Sequence, residues 1–156
     1  MSSEQETKDL PTHSPLRITK TLITTHNTAT GQATLSAASH PANYIVFEKG
    51  DMFFNQIFTN TFPADLNDEQ DITTHEKKIK EGKLGLATKS GTVCRQVDFA
   101  PGYVCMMHRT QSLDFGVVLE GEVDMLLDDG TEERMRRGDV AVQRATMHAV
   151  SFFLFI

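Results

Sequence analysis

The chain has 156 residues, of which 39% are hydrophobic and 23% are charged, and its formal net charge is −6. This length suits one domain with a sizeable core. An acidic chain without a basic stripe is not expected to bind nucleic acid, because phosphate contacts need clustered Lys or Arg. No apolar run reaches the ~20 residues that span a bilayer, and the polar N-terminus lacks the pattern of a signal peptide. We therefore expect a cytoplasmic protein without nucleic-acid or membrane partners.

The first third of the chain predicts an arm followed by strands. Residues 1–15 are polar and carry two prolines, which predicts a disordered arm before a single domain over residues 16–156. The alternating residues 17–25 predict a half-buried strand, and residues 26–35 predict a turn with a returning strand.

A hairpin and the only predicted helix follow. Residues 44–62 predict two strands around Lys49-Gly50-Asp51. If the protein forms a homodimer, this segment is the expected pairing surface. Residues 67–82 predict a helix, because they begin among acids and end with Lys and Gly, which suits the helix dipole.

After residue 90 the pattern is densely β. Short strands at roughly 8–12-residue spacing, separated by Gly-containing turns, indicate a sandwich or barrel. The predicted strands are 92–99, 103–108, 114–119, 122–128, 131–137 and 140–143, and the predicted turns are Pro101-Gly102, Glu120-Gly121, Asp129-Gly130 and Gly138-Asp139.

The residues that suggest chemistry are His108, Asp114 and His148. On one straight strand, His108 and Asp114 would lie about 20 Å apart at ~3.3 Å per residue, too far to hold one ion. If residues 109–113 form a turn instead, the two side chains can converge. His148 follows the turn at Gly138 and another strand, and closing a barrel would bring it beside the first pair. The alternative for His108 alone is a hydrogen-bonded histidine of the barrel wall.

The segment 102–121 resembles the first motif of the cupin superfamily. That motif has Gly, five residues, His, any residue, His, three or four residues, Glu, six residues and Gly. Here Gly102, His108 and Gly121 keep their places, while Thr110 stands for the second His and Asp114 for Glu.

The segment 138–148 resembles the second cupin motif. It runs from Gly138 to His148, one residue shorter than the family pattern, with Arg144 where Pro is usual and without the final Asn. The longer wording "FPADLND…SGTVCRQVDFAPGYVCMMHRTQSLDFGVVLEGEV…RRGDVAVQRATMHA" also resembles small fungal cupins found with polyketide pathways, some described as cupin-domain oxidoreductases. The resemblance implies an all-β, cupin-type antiparallel barrel (a jelly roll) with one short helix and an internal pocket.

The resemblance also implies a metal site. Carried over position by position, the metal ligands are His108, Asp114 and His148, and the ion would be a divalent metal such as Fe, Mn, Ni or Zn. Two imidazoles and one carboxylate match the facial triad of non-haem iron enzymes, which leaves positions open for oxygen and substrate. The same two histidines are the predicted catalytic residues.

Three residues are predicted to bind a small-molecule substrate. Thr110 replaces a ligand of the motif, and Arg109 and Arg144 carry guanidinium groups that fork onto anionic or phenolic oxygens. The alternative for both arginines is an ion pair with nearby acids such as Asp98 or Glu120. The remaining histidines are assigned no role: His13, His26, His40 and His75.

Three functions remain open. The first is a metal-dependent oxidoreductase acting on a small aromatic or polyketide-derived intermediate of secondary metabolism. The second is a metal-independent dehydratase, cyclase, isomerase or decarboxylase in which the histidines move protons. The third is a barrel that binds a small ligand without turnover. Fold alone does not separate them.

The last residues do not follow the family pattern. Residues 150–156 are abruptly hydrophobic, whereas cupins of this kind continue for a few more strands. The hypothesis is a truncated chain or translated intron sequence, and the alternative is a short final strand.

Overall fold

The computed structural model describes residue 14 and residues 16–82 and 85–151. The predicted disordered arm over residues 1–15 lies outside this part of the chain, except for Ser14, and so do residues 152–156. Within the described part, no helix is long and apolar enough to cross a membrane.

The described residues form a mostly β structure with one short helix, as predicted. The strands and the helix, in chain order, are β1 (Lys20–Thr21), β2 (Thr24–His26), β3 (Ala33–Leu35), β4 (His40–Pro41), β5 (Tyr44–Phe47), β6 (Met52–Thr61), α1 (Gln70–Lys80), β7 (Gly91–Phe99), β8 (Leu113–Val117), β9 (Glu122–Leu127), β10 (Glu132–Arg136), β11 (Val140–Arg144) and β12 (His148–Ser151).

All strand pairs among these elements are antiparallel. Two sheets have three strands, in the orders β5-β6-β7 and β10-β9-β12, and three pairs stand by themselves: β1-β4, β2-β3 and β8-β11. The β9–β10 pair is a hairpin whose turn contains Gly130 at φ 86°, a backbone conformation that glycine adopts without a steric cost.

The long β6–β7 pair supplies a buried face. In its register Phe53 lies opposite Asp98, and Asn55 lies opposite Gln96. Because alternate residues of a strand point to opposite faces, these four side chains share one side of the sheet. Phe53, Asn55 and Asp98 are at most 5% exposed. This sheet face is therefore buried although three of the four side chains are polar.

Two of the predicted strands differ from the structure. Residues 17–25 are divided into β1 and β2, with Leu22 and Ile23 between them. The strand predicted at residues 103–108 is wrong. That segment contacts β12 only through the isolated bridges Val104–Ser151 and His108–His148. From Val104 to His108 the chain advances by four residues, whereas from His148 to Ser151 it advances by three. This mismatch prevents a regular ladder of hydrogen bonds between the two segments.

Helix α1 packs on β6 through a histidine that sequence reasoning left without a role. His75 is 3% exposed, and its Nδ1 accepts a hydrogen bond from the Thr59 N–H at 3.2 Å. The ring centroids of His75 and Phe58 are 4.7 Å apart. Burial is the largest cause that lowers the pKa of His75. The accepted hydrogen bond agrees with this direction, because a protonated Nδ1 could not accept it.

This lowered pKa predicts that stability falls in mild acid. The unfolded chain protonates His75 near pH 6.5, while the folded ring protonates only at lower pH, so the unfolded state binds more protons in between. The free energy of unfolding should therefore decrease as the pH falls below 6.5, by at most about 1.4 kcal/mol per pH unit from this group. Urea unfolding between about pH 5 and pH 7 measures that slope.

The matched variants are His75→Gln and His26→Gln, since His26 is an exposed residue of β2. The slope should be shallower in His75→Gln than in His26→Gln. Equal slopes for the two variants would contradict the assignment.

Candidate functional site

Two histidines lie side by side where the segment before β8 meets β12. His108 and His148 form an antiparallel bridge in which each N–H donates to the other residue's carbonyl at 2.9 Å. Residues directly opposite in such a bridge project their side chains to the same side. The ring centroids are accordingly 4.5 Å apart, with an angle of 54° between the ring planes. The structure thus brings together the two histidines of the separate sequence motifs.

Each imidazole is held by a hydrogen bond to the backbone carbonyl of the residue two positions earlier in the chain. Nδ1 of His108 lies 2.9 Å from the Met106 carbonyl oxygen, and Nδ1 of His148 lies 3.0 Å from the Thr146 carbonyl oxygen. A carbonyl can only accept, so each Nδ1 carries the proton. In the neutral rings both Nε2 atoms therefore keep a lone pair, which can take a proton or bind a metal ion.

Asp114 is held by the two hydroxyl groups that precede it. Its Oδ2 accepts hydrogen bonds from Thr110 Oγ1 at 2.9 Å and from Ser112 Oγ at 3.0 Å. The predicted turn is present up to Ser112, because β8 begins at Leu113. Thr110 and Asp114 are the two departures from the first cupin motif, and here they contact each other.

The three predicted metal ligands do not form one group. No set of three or more His, Cys, Asp or Glu side chains within residues 14, 16–82 and 85–151 is placed to hold a metal ion. The two Nε2 atoms suit a metal, but Asp114 does not complete a three-ligand set with them. Metal binding by His108, Asp114 and His148 stays a prediction, and we derive no reaction step from it.

A cavity of about 1290 Å³ adjoins His148, whereas His108 is not among its wall residues. His148 lies in its wall together with Gln143 of β11, while Gln96 and Asp98 of β7 contribute polar groups to the wall. The apolar part of the wall includes Phe115, Val123, Met125, Met135 and Val150. The wall also carries charged residues, namely Arg17, Arg95, Glu120, Glu122 and Arg137. A concave wall that combines apolar residues with polar groups is suited to a small molecule.

The predicted substrate-binding residues do not line this cavity. Arg109 and Arg144 are exposed, and Thr110 is engaged with Asp114. Ala141 and Gln143 line the cavity, so Arg144 lies on the opposite face of β11 because strand residues alternate. Substrate contact by these three residues stays a prediction. Neither arginine forms the alternative ion pair among the described residues.

Sequence reasoning missed the polar wall residues Gln96, Asp98 and Gln143. Gln96 and Asp98 stand two residues apart in "CRQVDF", inside a strand whose other face carries Val97. Two polar residues at strand spacing are the signal that could have identified a polar surface facing inward.

Comparison with known proteins gives the family. No protein-family profile matches the chain. The chain is 38% identical over 134 residues to the cupin-domain-containing oxidoreductase virC of Hypocrea virens. The aligned residues make up 85% of this chain and 66% of that protein. Over 98 residues it is 45% identical to the phomopsin biosynthesis cluster protein C' of Diaporthe leptostromiformis, covering 63% of this chain and 51% of that protein.

A further relative is the cupin-domain-containing oxidoreductase fogC of Aspergillus ruber, 48% identical over 90 residues, which are 58% of this chain and 42% of that protein. The chain thus spans about half the length of several relatives that it matches. These similarities and the mostly β structure together show that the chain belongs to the cupin-domain proteins of fungi.

Proposed function

We propose that this chain is an enzyme of fungal secondary-metabolite biosynthesis and that it acts on a small organic intermediate bound in the cavity. The observation that carries the proposal is the His108–His148 bridge, which holds two imidazoles side by side with Nδ1 of each hydrogen-bonded to a backbone carbonyl, and His148 lies in the cavity wall. The names of the relatives support the setting, since they include biosynthesis cluster proteins and oxidoreductases.

We further infer that the strands close into a cupin-type antiparallel barrel around the cavity. Six strands contribute wall residues, namely β7, β8, β9, β10, β11 and β12. A barrel of this kind encloses a ligand when its interior is not filled by side chains. The predicted homodimer and the predicted cytoplasmic location stay proposals.

The geometry supports proton transfer by the histidine pair. Nε2 of His148, which lies in the cavity wall, takes a proton from the bound molecule as a general base. The proton then passes to Nε2 of the adjacent His108 ring, which returns it at a second position, so both rings end the cycle in the neutral form. The two Nδ1–H···O=C bonds keep both rings in the tautomer that this requires. Thr110 and Ser112 orient the Asp114 carboxylate next to this segment.

A metal-dependent oxidoreductase is the second candidate, and the printed names of three relatives favour it. A divalent ion bound to the two Nε2 atoms would supply Lewis-acid or redox chemistry. The metal content of the purified parent and of a His108→Ala/His148→Ala variant tests this candidate. About one Fe, Mn, Ni or Zn ion per parent chain and none in the variant would support it. A parent that stays metal-free after each ion is added would contradict it.

Simple binding without turnover is the remaining alternative. It differs from catalysis in one measurable respect, since a binding protein forms no product. The test of the proposed function is therefore complementation of a deletion strain with a His148→Gln variant, which should fail to restore product if His148 transfers a proton.

A further inference from the structure

The Gln143 side chain lies in the cavity wall without a hydrogen-bond partner among the described residues. Ala141 and Gln143 both line the cavity, and alternate residues of a strand point to the same side, so the Gln143 amide faces the cavity. The residue is half-buried, and no hydrogen bond between described residues involves its amide. Its NH₂ group is therefore available to donate to a bound molecule.

The other neutral donors of the wall are already engaged with protein atoms. Thr19 Oγ1 donates to Gln96 Oε1 at 2.7 Å. Gln96 Nε2 donates to Asp98 Oδ1 at 2.8 Å and to the Tyr44 hydroxyl group at 3.2 Å. Neither side chain can bind a ligand without losing one of these hydrogen bonds.

The arginines of the wall are less suited than this amide to hold a ligand oxygen. Arg95 donates from Nε to Gln56 Oε1 at 3.0 Å and from Nη2 to the Gly85 carbonyl at 2.9 Å. Arg17 and Arg137 are exposed, so water competes for their N–H groups. The half-buried amide on β11 is therefore the wall side chain best placed to donate to a molecule in the cavity.

The same two chain segments carry Gln143 and the histidine pair. His148 bridges His108 at one end of these segments, and Gln143 lies opposite Asp114 at the other end. A backbone hydrogen bond of 3.0 Å joins the segments between these two ends. Because Gln143 and His148 also line one cavity, a molecule bound there can contact the amide and the imidazole together.

A histidine that removes a proton from carbon needs a place for the charge that develops. When the C–H bond lies next to a carbonyl group, its electron pair forms a carbon–carbon double bond and the π electrons of the carbonyl move to the oxygen, which becomes an enolate oxygen. A hydrogen-bond donor aimed at that oxygen stabilises the charge, and it does so most strongly where water is excluded. The wall contains both parts, since His148 is the base and Gln143 is the donor.

We propose that the Gln143 amide donates a hydrogen bond to a carbonyl oxygen of the substrate while His148 Nε2 removes a proton from the adjacent carbon. The substrate class is a β,γ-unsaturated carbonyl compound. Its dienolate takes the proton back from His108 at the γ carbon, so the double bond moves into conjugation and the carbonyl group is restored. The step is an isomerisation, and it consumes no oxidant, reductant or second reactant.

This inference rests on the proposed function, because it names the substrate class of that site and assigns its oxygen-binding residue. The probe that tests it is 1-phenylbut-3-en-1-one, a small aromatic ketone of this class. Its isomerisation to 1-phenylbut-2-en-1-one is followed by the ultraviolet absorbance of the conjugated product. The parent should accelerate this reaction over buffer.

Gln143→Met should lower kcat for the probe about 100-fold, the loss typical of one missing donor to an oxyanion. Its KM should change little, because the hydrogen bond strengthens only as charge develops on the oxygen. Methionine keeps the length of the unbranched side chain and removes the amide. Gln32→Met is the matched control, because Gln32 is an exposed residue that does not line the cavity. It should keep the parent kcat.

Thermal unfolding of both variants shows whether they are folded during the assay. A folded Gln143→Met variant with the parent kcat would overturn the role of the amide. A parent chain that does not accelerate the isomerisation would overturn the substrate class. A failure of the proposed function is distinguishable, since His148→Gln would then isomerise the probe at the parent rate. A failure of the Gln143 assignment alone would leave His148→Gln inactive and Gln143→Met fully active.

Discussion

A deletion strain that expresses His148→Gln should accumulate the biosynthetic intermediate and form at least ~100-fold less product than a strain with the parent chain. Glutamine can keep the backbone bonds that join residue 148 to His108, because these bonds do not involve the side chain. It cannot take up a proton at the position of Nε2. Turnover should therefore be lost while the bridge and the fold remain.

Metabolite profiles measured by mass spectrometry give this result directly, and the accumulated compound identifies the substrate. His26→Gln is the control, because it makes the same change on an exposed strand residue. Product formation by His148→Gln at the parent rate would refute the proposed role of the histidine pair. With the identified substrate, purified His148→Gln should show a lower kcat and little change in KM, since the defect lies in proton transfer.

The double variant His108→Gln/His148→Gln tests whether the two imidazoles work as one unit. Groups that act in a single step give losses of activity that do not add, so the double variant should have about the same activity as the less active of the two single variants.

Chelation separates the two candidate mechanisms in the same assay. Activity that survives dialysis against a chelator supports proton transfer, and activity that is lost and then restored by one added ion supports the metal-dependent reaction.

The strands and turns were largely predictable because their signals are local. The turn residues Lys49-Gly50-Asp51 within residues 44–62 predicted the pair β5 and β6, and the acids and lysines of residues 67–82 predicted helix α1. The error at residues 103–108 has a long-range cause. Its residues are typical of a strand, but its contacts are made with β12, forty or more residues later in the chain, where four residue steps oppose three.

The candidate site was predictable only in part for the same reason. The sequence predicted that closing a barrel would bring His148 beside His108, and the structure places the two rings together. The position of Asp98 follows from the register of β6 and β7, which pairs it with Phe53. No local pattern specifies that register, so sequence reasoning could not tell an inward aspartate from an outward one.

The hydrogen bond between Thr110 and Asp114 gives a physical explanation of the two departures from the first cupin motif. A carboxylate with two hydroxyl donors on one oxygen is satisfied without a metal ion at that oxygen. Asp is also one methylene shorter than the Glu that the family motif has at this place. The two changes therefore support each other, since Thr110 supplies a hydrogen bond to the shorter acid where a histidine would have supplied a ligand.

The largest stability effect is expected at Gly91, the first residue of β7. A Cβ added there would overlap the backbone carbonyl oxygen of Asn60 and lie 3.1 Å from the Cα of Thr61. Both contacts are with the backbone of the partner strand β6, in register with Gly91, so a change of side-chain rotamer cannot relieve them. Gly91→Ala should therefore lower the free energy of unfolding by roughly 2–3 kcal/mol, the upper part of the ~1–3 kcal/mol range that overpacking of a well-packed site typically costs.

Gly116→Ala is the matched comparison, because Gly116 is also a strand residue and an added Cβ has no neighbour within 4 Å there. Its free energy of unfolding should stay within about 1 kcal/mol of the parent, since alanine reduces the freedom of the unfolded chain without a steric cost. Urea unfolding followed by circular dichroism measures both differences. A Gly91→Ala variant as stable as Gly116→Ala would mean that β6 and β7 are not as close at this end as the structure has them. The pairing that sets the position of Asp98 in the same ladder would then need revision, so this variant also tests the framework of the cavity wall.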